Sequence, residues 1–548
     1  MRGLMMDRPL LIGALIQYAA EYHGDTEIVT RTTEGPIHRY TYGEAERRIR
    51  QLAKALKRLG IGQGDRVATL AWNNHRHFEL YFAISGSGAV CHTINPRLFA
   101  DQLRYIVNHA EDKLLFLDLT FVPIAEKMAG EWPTLRHYVI MTDRAHMPQT
   151  SLPGALCYED LLAGESADFV WPEFDENTAS SLCYTSGTTG NPKGALYTHR
   201  STLLHSFAIC AAGGVALSMY DSVVPVVPMF HVNAWGVPYA ATMSGARMVF
   251  PGPKLDGASL YELFTTEKVT LSLGVPTVWL GLLQYLDQTG KRLDGLKRIT
   301  SGGSAAPRSM IEAFEEKYGV QFIHGWGMTE TSPLGSLALP KQKQLERSKD
   351  ELLTIKTRQG LPPFGVDMKV VGADGKVQPH DGKARGELLV RGPWIVGGYF
   401  NDEPATAAAF DEAGWFRTGD IATIDGDGLM AIVDRSKDVI KSGGEWISSI
   451  DVENAAMGHP DVAEAAVIGL PHPKWDERPL LIVTPKPGRQ PSKESIIAFL
   501  GDKIARWQLP DDIVIVPEIP HGGTGKVLKA KLREQFKDYR LPTIQERG

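Results

Sequence analysis

Cysteine is scarce in this sequence. The 548 residues contain four cysteines, Cys91, Cys157, Cys183 and Cys210, and no two of them stand in a CxxC pair. A disulfide framework or a cysteine zinc site needs closely spaced or paired cysteines, so the pattern argues against both. It is typical of small core residues in a reducing compartment.

A long uninterrupted apolar run is also missing. The most apolar long window, residues 223–243, contains three prolines, a histidine and an asparagine, which argues against a membrane span. The first 25 residues lack the order of basic region, apolar run and cleavage site that marks a signal peptide. Leu11, Leu15 and Tyr18 recur there at helical spacing and favour an amphipathic surface helix. The sequence therefore predicts a cytoplasmic protein without a membrane span.

Neither charge sign is in large excess. The 58 basic and 64 acidic residues give a net charge of −6, so no general attraction for nucleic acid is expected. The histidines show no metal-ligand spacing, which predicts no structural metal. Hydrophobic content of 43% is ordinary for a globular protein, and 548 residues are too many for one core, so at least two domains are expected.

Helix and strand patterns alternate along most of the chain. Thr41 and Glu44 form a capping-box pattern before a helical apolar repeat, and Gly60 is placed to end that helix. Apolar strands separated by helices predict an α/β fold with parallel sheets covered on both faces. The strand candidates in this part are residues 65–72, 113–119, 180–184, 246–251 and 269–276.

The pattern changes near residues 435–438. Beyond them come a strand candidate at 461–471, a helix at 493–507 and a strand at 512–520. This indicates a small α+β domain, and we predict a large domain of layered sheets and helices at 1–436 and a small mobile domain at 437–548. The charged stretch 341–360 is typical of a solvated helix or loop.

The segment YTSGTTGNPKG, residues 184–194, is rich in hydroxyls and glycines and carries one lysine. Glycines let a backbone approach an anion, hydroxyls add donors, and Lys193 adds a compact charge, so the segment suggests polyphosphate binding. The spacing is not that of the P-loop pattern GxxxxGK[ST]. A polar surface turn is the alternative interpretation of this segment alone.

Four further motifs follow in order: HGWGMTET (324–331), WFRTGD (415–420), DRSKDVIKSGGE (434–445) and GGTGKVLK (522–529). Trp326 could stack on a base, Thr329 could donate to a phosphate and Glu330 could hold Mg²⁺. Asp420 is suited to accept from two ribose hydroxyls, although alone it would be a turn aspartate. Each motif is weak by itself, and the order is specific.

With these motifs, nearly the whole chain resembles the adenylate-forming superfamily of acyl-CoA synthetases, carrier-loading adenylation domains and firefly-type luciferases. INPRL (94–98), VVPMFHVNAWG (226–236) and HPKWDERPLL (472–481) are similar to the branch of medium-chain fatty acyl-CoA and 3-(methylthio)propionyl-CoA ligases. The resemblance implies that a carboxylate attacks Mg·ATP to give an acyl-adenylate and pyrophosphate. The small domain then rotates, and coenzyme A displaces AMP.

The resemblance also implies roles for individual residues. Lys526, Thr329 and Glu330 would be catalytic, and Glu330 and Thr188 would bind Mg²⁺. His231, Trp235, Gly302 and Pro333 would line the acyl pocket, and Lys437 would be the hinge. The residues implied to bind ATP or coenzyme A are Thr185, Ser186, Gly187, Thr188, Thr189, Gly190, Lys193, Gly303, Ser304, Trp326, Gly327, Met328, Asp420, Arg435, Lys437, Lys441, Gly443, Gly444, Glu445 and Trp446.

Several interpretations stay open at this point. His231 and Trp235 are either pocket residues or ordinary core, Trp446 either borders pantetheine or anchors the small domain, and Glu477 fits a structural role best. The expected activity is ATP-dependent ligation of a short- to medium-chain acid, including 3-(methylthio)propionate, to coenzyme A, by a homodimer. The alternatives are an enzyme that loads a carrier protein, a non-catalytic nucleotide-binding module and, remotely, a luciferase-like oxygenase.

Overall fold

The computed structural model describes residues 1, 3–185, 191–443, 445–522 and 527–542. Across these ranges, no helix combines the length and the apolar character that crossing a membrane requires. Ser186–Gly190, Gly444 and Lys526, to which the sequence assigns roles, lie outside the described residues.

The described strands are short and are spread over the whole chain. They are β1 Glu27–Arg31, β2 Ile37–Thr41, β3 Arg66–Leu70, β4 Val90–Thr93, β5 Leu114–Leu117, β6 His137–Ile140, β7 Leu156–Cys157, β8 Ala179–Tyr184, β9 Gly194–Thr198, β10 Ser222–Pro225, β11 Arg247–Phe250, β12 Leu271–Gly274, β13 Arg298–Ser301, β14 Gln321–Gly327, β15 Leu334–Leu337, β16 Asp367–Val371, β17 Gly386–Arg391, β18 Phe416–Ile424, β19 Met430–Arg435, β20 Ile440–Ser442, β21 Glu445–Ile447, β22 Val462–His472, β23 Asp476–Pro485 and β24 Asp512–Ile515.

Helices alternate with these strands. They are α1 Ile12–Tyr22, α2 Tyr42–Arg58, α3 His75–Gly86, α4 Ala100–Ala110, α5 Val122–Met128, α6 Tyr158–Ala163, α7 His199–Cys210, α8 Val232–Trp235, α9 Val237–Ser244, α10 Gly257–Thr266, α11 Pro276–Thr289, α12 Arg308–Glu312, α13 Lys349–Thr357, α14 Glu403–Ala409, α15 Ser449–Met457, α16 Lys493–Gly501 and α17 Lys529–Gln535. Of these, α8 is a left-handed turn, described below.

Two large sheets, parallel except at their edges, dominate the first 340 residues. One has the order β15-β14-β13-β12-β10-β11-β1-β2 and the other has the order β7-β6-β5-β3-β4-β8-β9. The antiparallel members β2, β15 and β9 lie at the edges. Helices cover the faces of these sheets, because parallel strands need crossover connections. The predicted strands in this region are confirmed.

Helix α2 shows how the sequence sets one of these covering helices. The Thr41 side chain accepts a hydrogen bond from the Glu44 backbone N–H, and Glu44 accepts one from the Thr41 N–H. Ile49, Leu52 and Leu56 are buried on the apolar face of the helix. The predicted capping box and helix are confirmed, and the apolar stripe explains why the helix packs on the sheet.

Two smaller sheets follow. β16-β17-β18-β19 is antiparallel, and β20, β21, β22, β23 and β24 form a separate sheet with α15, α16 and α17 near it. The change of sheet falls between Arg435 and Ile440. The predicted α/β class, with a large N-terminal part and a smaller α+β part, is confirmed, whereas the boundary at 436/437 and the mobility of the small part stay predictions.

Two local predictions need correction. The helix predicted over 493–507 ends at Gly501, and only a short 3₁₀ turn follows at Arg506–Gln508. In α1 the buried face is formed by Ile12, Leu15, Ile16 and Ala19, whereas Tyr18 is exposed. The spacing between Leu15 and Tyr18 is helical, but the aromatic ring lies on the solvent side of the stripe.

Candidate active site

The predicted phosphate-binding segment joins two antiparallel strands. Tyr184 at the end of β8 is paired with Gly194 at the start of β9. The Thr185 N–H donates to the Lys193 carbonyl at 2.9 Å, and the Lys193 N–H donates to the Thr185 hydroxyl at 3.1 Å. These bonds fix the base of the segment and hold Thr185 and Lys193 next to each other. The residues between them that the sequence assigns to phosphate binding lie outside the described part of the chain.

One tyrosine, Tyr399, contacts both Lys193 and the predicted Mg²⁺ ligand Glu330. The Lys193 Nζ stands 4.9 Å from the centre of the Tyr399 ring, and the Tyr399 hydroxyl donates to Glu330 Oε1 at 2.7 Å. Burial, followed by the nearby Glu330 carboxylate, raises the pKa of Tyr399, so the phenol stays protonated and can donate. Tyr399 therefore contacts the predicted phosphate lysine with its ring and the predicted metal ligand with its hydroxyl.

Backbone contacts hold Thr329 and Glu330 after β14. The Val396 N–H donates to the Glu330 carbonyl at 2.9 Å, and the Tyr197 hydroxyl donates to the Thr329 carbonyl at 2.6 Å. Glu330 is 6% exposed. A buried carboxylate oxygen is a hard ligand of the kind that Mg²⁺ prefers, so Glu330 fits the role of one ligand to that ion.

The predicted nucleoside residues also meet. The Trp326 indole N–H donates to Asp420 Oδ2 at 2.8 Å, and the Arg435 Nε lies 2.8 Å from Asp420 Oδ1. Asp420 and Arg435 face each other across β18 and β19. The ends of β13 and β14 are neighbours in the parallel sheet, and this brings Gly302, Gly303 and Ser304 to the same edge as Trp326. Parallel α/β sheets commonly bind ligands at this carboxyl edge.

The predicted acyl pocket contains an unusual backbone turn. Four consecutive residues, Val232, Asn233, Ala234 and Trp235, have φ between 47° and 56°. A left-handed turn in L-residues is strained, at about 1–2 kcal/mol per residue. Because the turn is left-handed, the i, i+4 neighbour relation of a right-handed helix does not apply to His231 and Trp235.

Buried polar contacts hold this turn in place. The Asn233 side chain donates to the Ser181 hydroxyl at 2.8 Å, and the Cys183 thiol donates to the Asn233 side-chain oxygen at 3.4 Å. Asn73 donates to the Pro225 and Val227 carbonyls and accepts from the Met229 N–H. The surrounding strands therefore determine a conformation that the local sequence would not adopt alone.

Trp235 ends the turn against the predicted pocket glycine. A Cβ at Gly302 would lie 3.2 Å from Trp235 Cη2 and 3.2 Å from the Gly325 carbonyl oxygen. At Gly327, a Cβ would collide with the Pro333 carbonyl oxygen at 1.7 Å. The structure thus brings Trp235 to Gly302 and the Trp326 segment to Pro333. His231 is half-buried and starts the turn.

Among the residues implied to bind coenzyme A, Lys441 in β20 pairs with Trp446 in β21, and the two strands are antiparallel. Gly443 has φ +60°, and its N–H donates to the Trp475 carbonyl at 2.8 Å. The Lys441 N–H donates to Glu477 at 2.9 Å, and Arg478 donates to the Ser442 hydroxyl at 3.1 Å. The contact of Glu477 agrees with the structural role expected for it.

Trp446 and Lys437 contact other parts of the chain through their backbones. The Trp446 carbonyl accepts from Arg385 at 2.7 Å, and the Lys437 carbonyl accepts from Arg533 at 3.3 Å. Burial lowers the pKa of Lys437. Glu445 is exposed. Met328, half-buried, packs beside Trp235 and Trp326.

Three further residues hold the site together, and no sequence pattern assigns them a role: Tyr197, Asn233 and Tyr399. Tyr399 follows two glycines in VGGYF, and Asn233 belongs to a quoted motif, yet neither pattern identifies the partner of the side chain. Tyr399 lies 69 residues from Glu330 and Asn233 lies 52 residues from Ser181. Only the folded arrangement links these pairs.

Comparison with known proteins agrees with this geometry. Residues 16–400 match the model of the AMP-binding enzyme family, and residues 451–526 match that of the AMP-binding enzyme C-terminal domain. The chain is 52% identical to a 3-methylmercaptopropionyl-CoA ligase of Ruegeria lacuscaerulensis (98% of this chain, 99% of the relative). It is 50% identical to a medium-chain-fatty-acid–CoA ligase of Ectopseudomonas oleovorans (99% and 98%).

A solved structure gives the same result for the fold. The crystal structure of the anthranilate CoA ligase AuaEII with anthranoyl-AMP has a TM-score of 0.86 and 26% identity, with 97% of this chain and 98% of that chain covered. The predictions of an ATP-dependent acid–thiol ligase that acts through an acyl-adenylate, and of ATP, Mg²⁺ and coenzyme A as its reactants and metal, are confirmed. The chain belongs to the AMP-binding enzyme family.

Proposed function

We propose that this ligase activates short- to medium-chain carboxylic acids and that 3-(methylthio)propionate is its physiological substrate. The observation that carries the chain length is the Trp235 ring, which stands 3.2 Å from the Cβ position of Gly302. A ring this close to the glycine takes the volume of several methylenes. The printed name of the Ruegeria relative supports the choice of acid.

The two indoles suit a sulfur-containing chain. Trp235 and Trp326 both pack on the apolar cluster that includes Val232, and Trp326 reaches Asp420 with its N–H. A polarizable thioether gains from aromatic neighbours, by about 0.3–1.5 kcal/mol. Each buried methylene contributes about 0.8 kcal/mol until the pocket is full. Butyrate, hexanoate and 3-(methylthio)propionate should therefore be accepted with modest discrimination.

For adenylation, positive charge must face the phosphates where negative charge grows. Lys193 and the hydroxyls and N–H groups of 185–190 would bind the β- and γ-phosphates, and Thr329 would contact the α-phosphate. Glu330 and Thr188 would hold Mg²⁺, which supplies further positive charge at the phosphates. Lys526 would bridge the acid carboxylate and the α-phosphate.

The nucleoside would lie along the carboxyl edge of β13 and β14. Asp420 and Arg435 would bind the ribose, and Trp326 and 302–304 would flank the adenine and the acyl group. The buried Asp420 carboxylate supports this, because an acceptor with two oxygens matches a vicinal diol. Pro333 and His231 would complete the acyl pocket.

For thioester formation, the small domain at 437–548 would turn about Lys437. Lys441, Gly443 and Trp446 of β20, β21 and the turn at Gly443 would then line the pantetheine path together with Gly444, which lies outside the described residues. The glycine turn at φ +60° supports this, since its backbone permits a close approach. A cytoplasmic location and a homodimer are part of the same proposal, and four scattered cysteines agree with a reducing compartment.

The test is a panel of acids with AMP release and acyl-CoA formation as readouts. We expect kcat/KM to be highest for 3-(methylthio)propionate, similar within about tenfold for butyrate and hexanoate, and low for acetate and palmitate. Best activity on palmitate would show that the pocket is long. AMP release that does not increase with coenzyme A would remove the thiol from the reaction.

A further inference from the structure

The Trp326 ring is held at both of its ends. At the pyrrole end, Nε1 donates to Asp420 Oδ2 at 2.8 Å. At the benzo end, the ring lies on the backbone of Gly335 in β15, where a Cβ would stand 2.3 Å from Trp326 Cζ3. Only glycine leaves that space, so the indole plane is fixed by a backbone on one side and a carboxylate on the other.

The groups around the Asp420 carboxylate include one cation and one neutral donor. Arg435 Nε meets Oδ1 and the Trp326 N–H meets Oδ2, each at 2.8 Å. The carboxylate is 1% exposed, whereas the Arg435 side chain is 39% exposed. The exposed Arg435 side chain keeps rotamer freedom, whereas the indole is packed on the Gly335 backbone. The indole is therefore the more firmly placed of the two groups, and it helps to fix the direction of the carboxylate.

We propose that the Trp326 N–H is a positioning group for ribose recognition by Asp420. This inference rests on the proposed function, which assigns the ribose hydroxyls to Asp420. A phenyl ring at position 326 would still stack on a base and fill the acyl wall, but it could not hold the carboxylate. Trp326 therefore contributes to the preference of the enzyme for ribose over deoxyribose, in addition to its proposed contact with adenine.

The test compares ATP with 2′-deoxy-ATP and 3′-deoxy-ATP in pyrophosphate exchange, in the wild type and in Trp326→Phe. We expect kcat/KM for ATP to fall about tenfold in the variant, since a hydrogen bond to a charged group is lost. The values for the deoxynucleotides should fall much less, so the preference for ATP shrinks. An equal loss for all three nucleotides would mean that Trp326 only stacks, and would overturn the inference.

A double-mutant cycle with Asp420→Ala tests whether Trp326 affects ribose recognition through Asp420. In the Asp420→Ala background, Trp326→Phe should leave the remaining ratio of ATP to deoxynucleotide unchanged, because the carboxylate that it orients is gone. A further change of that ratio would contradict action through Asp420. Trp235→Phe is the matched control, as it alters an indole of the same pocket that packs against Gly302, and it should alter acid preference but not ribose preference.

Calorimetric Kd values for ATP and 3′-deoxy-ATP give the same comparison if Asp420→Ala turns over too slowly. Different outcomes of these experiments would contradict the proposed function itself. No exchange with any acid in the wild type would refute the ligase, and full ribose preference in Asp420→Ala would refute the assignment of the ribose. Normal exchange together with an unchanged ratio in Trp326→Phe would refute the positioning role alone.

Discussion

The Tyr399 hydroxyl donates a 2.7 Å hydrogen bond to Glu330 Oε1, while the Lys193 ammonium stands over the Tyr399 ring. One phenol thus links the proposed Mg²⁺ ligand to the proposed phosphate lysine. The arrangement keeps a carboxylate and an ammonium near each other, with a phenol ring between these two described side chains.

Glu330→Gln should weaken the Mg²⁺ dependence of adenylation without unfolding the protein, because it keeps the shape of the side chain and removes the charge. The measurement is a Mg²⁺ titration of pyrophosphate exchange, with a melting curve for each variant. Tyr399→Phe is the matched comparison. It keeps the charge of Glu330 and removes one hydrogen bond to that carboxylate. The change in apparent Mg²⁺ affinity should therefore be smaller than in Glu330→Gln, at about 1.5–3 kcal/mol or less. An unchanged titration in Glu330→Gln would remove Glu330 from the metal site.

Lys526→Ala should nearly abolish adenylate formation and spare transfer of a preformed acyl-adenylate to coenzyme A. The lysine is expected to act in one domain orientation only, and loss of a charge that acts in the transition state costs about 3–4 kcal/mol, by analogy with an oxyanion donor. The two half-reactions are measured separately. Equal damage to both would contradict the assignment, and Lys529→Ala serves as a nearby control, since Lys529 pairs with Glu453 within the small domain.

Lys437→Pro should slow thioester formation more than adenylation. Proline fixes φ, and a hinge residue must change its backbone angles when the small domain turns. Single-turnover rates of the two steps test this. Because proline would also alter the backbone where Lys437 accepts from Arg533, Arg533→Ala is the control, and it removes that contact together with the ion pair between Arg533 and Asp438. Normal steady-state turnover in Lys437→Pro would place the hinge elsewhere.

Trp235→Ala and Gly302→Ala should shift the preferred chain length in opposite directions. The first removes a ring from the pocket and should favour longer acids by about 1–3 kcal/mol in relative kcat/KM. The second adds a methyl group 3.2 Å from the ring and from the Gly325 oxygen, and it should penalise hexanoate more than butyrate. A shift in the same direction for both variants would contradict the predicted wall.

Three buried histidines should each reduce the stability of the protein as the pH drops from 6.5 towards 4. Burial lowers the pKa of His77 and His199 to about 4 and that of His205 to about 3. The unfolded chain binds protons on these rings below pH 6.5, and the folded protein does not until these lower values, so the stabilisation is present above pH 6.5 and is lost as the pH falls.

His205→Gln isolates one of these contributions. His205 accepts from the Leu334 N–H, and a glutamine oxygen can also accept. The loss of unfolding free energy between pH 6.5 and 5.0 should be smaller in the variant than in the wild type, by roughly 2 kcal/mol. Urea unfolding at both pH values measures it. Parallel pH dependence of the two proteins would show that His205 is protonated in the folded state.

Much of the fold was predictable because it depends on local patterns. The capping box at Thr41 and Glu44, the apolar stripe of α2 and the alternation of strands and helices follow from residue spacing alone. The motifs also identified the family, because the phosphate segment, Glu330, Asp420 and Lys526 follow one another in this chain in the order typical of the adenylate-forming superfamily. Boundaries were less certain, as α16 shows by ending at Gly501.

Tertiary structure alone decided which side chains meet in the site. Trp326 reaches Asp420 across 94 residues because β14 and β18 converge, and no spacing in either motif indicates that bond. The left-handed turn from Val232 to Trp235 is intrinsically unfavourable, so local propensity predicts against it, and only buried contacts such as that of Asn233 with Ser181 stabilise it. The sequence determined the chemistry that the residues can perform, and long-range packing determined which of them perform it together.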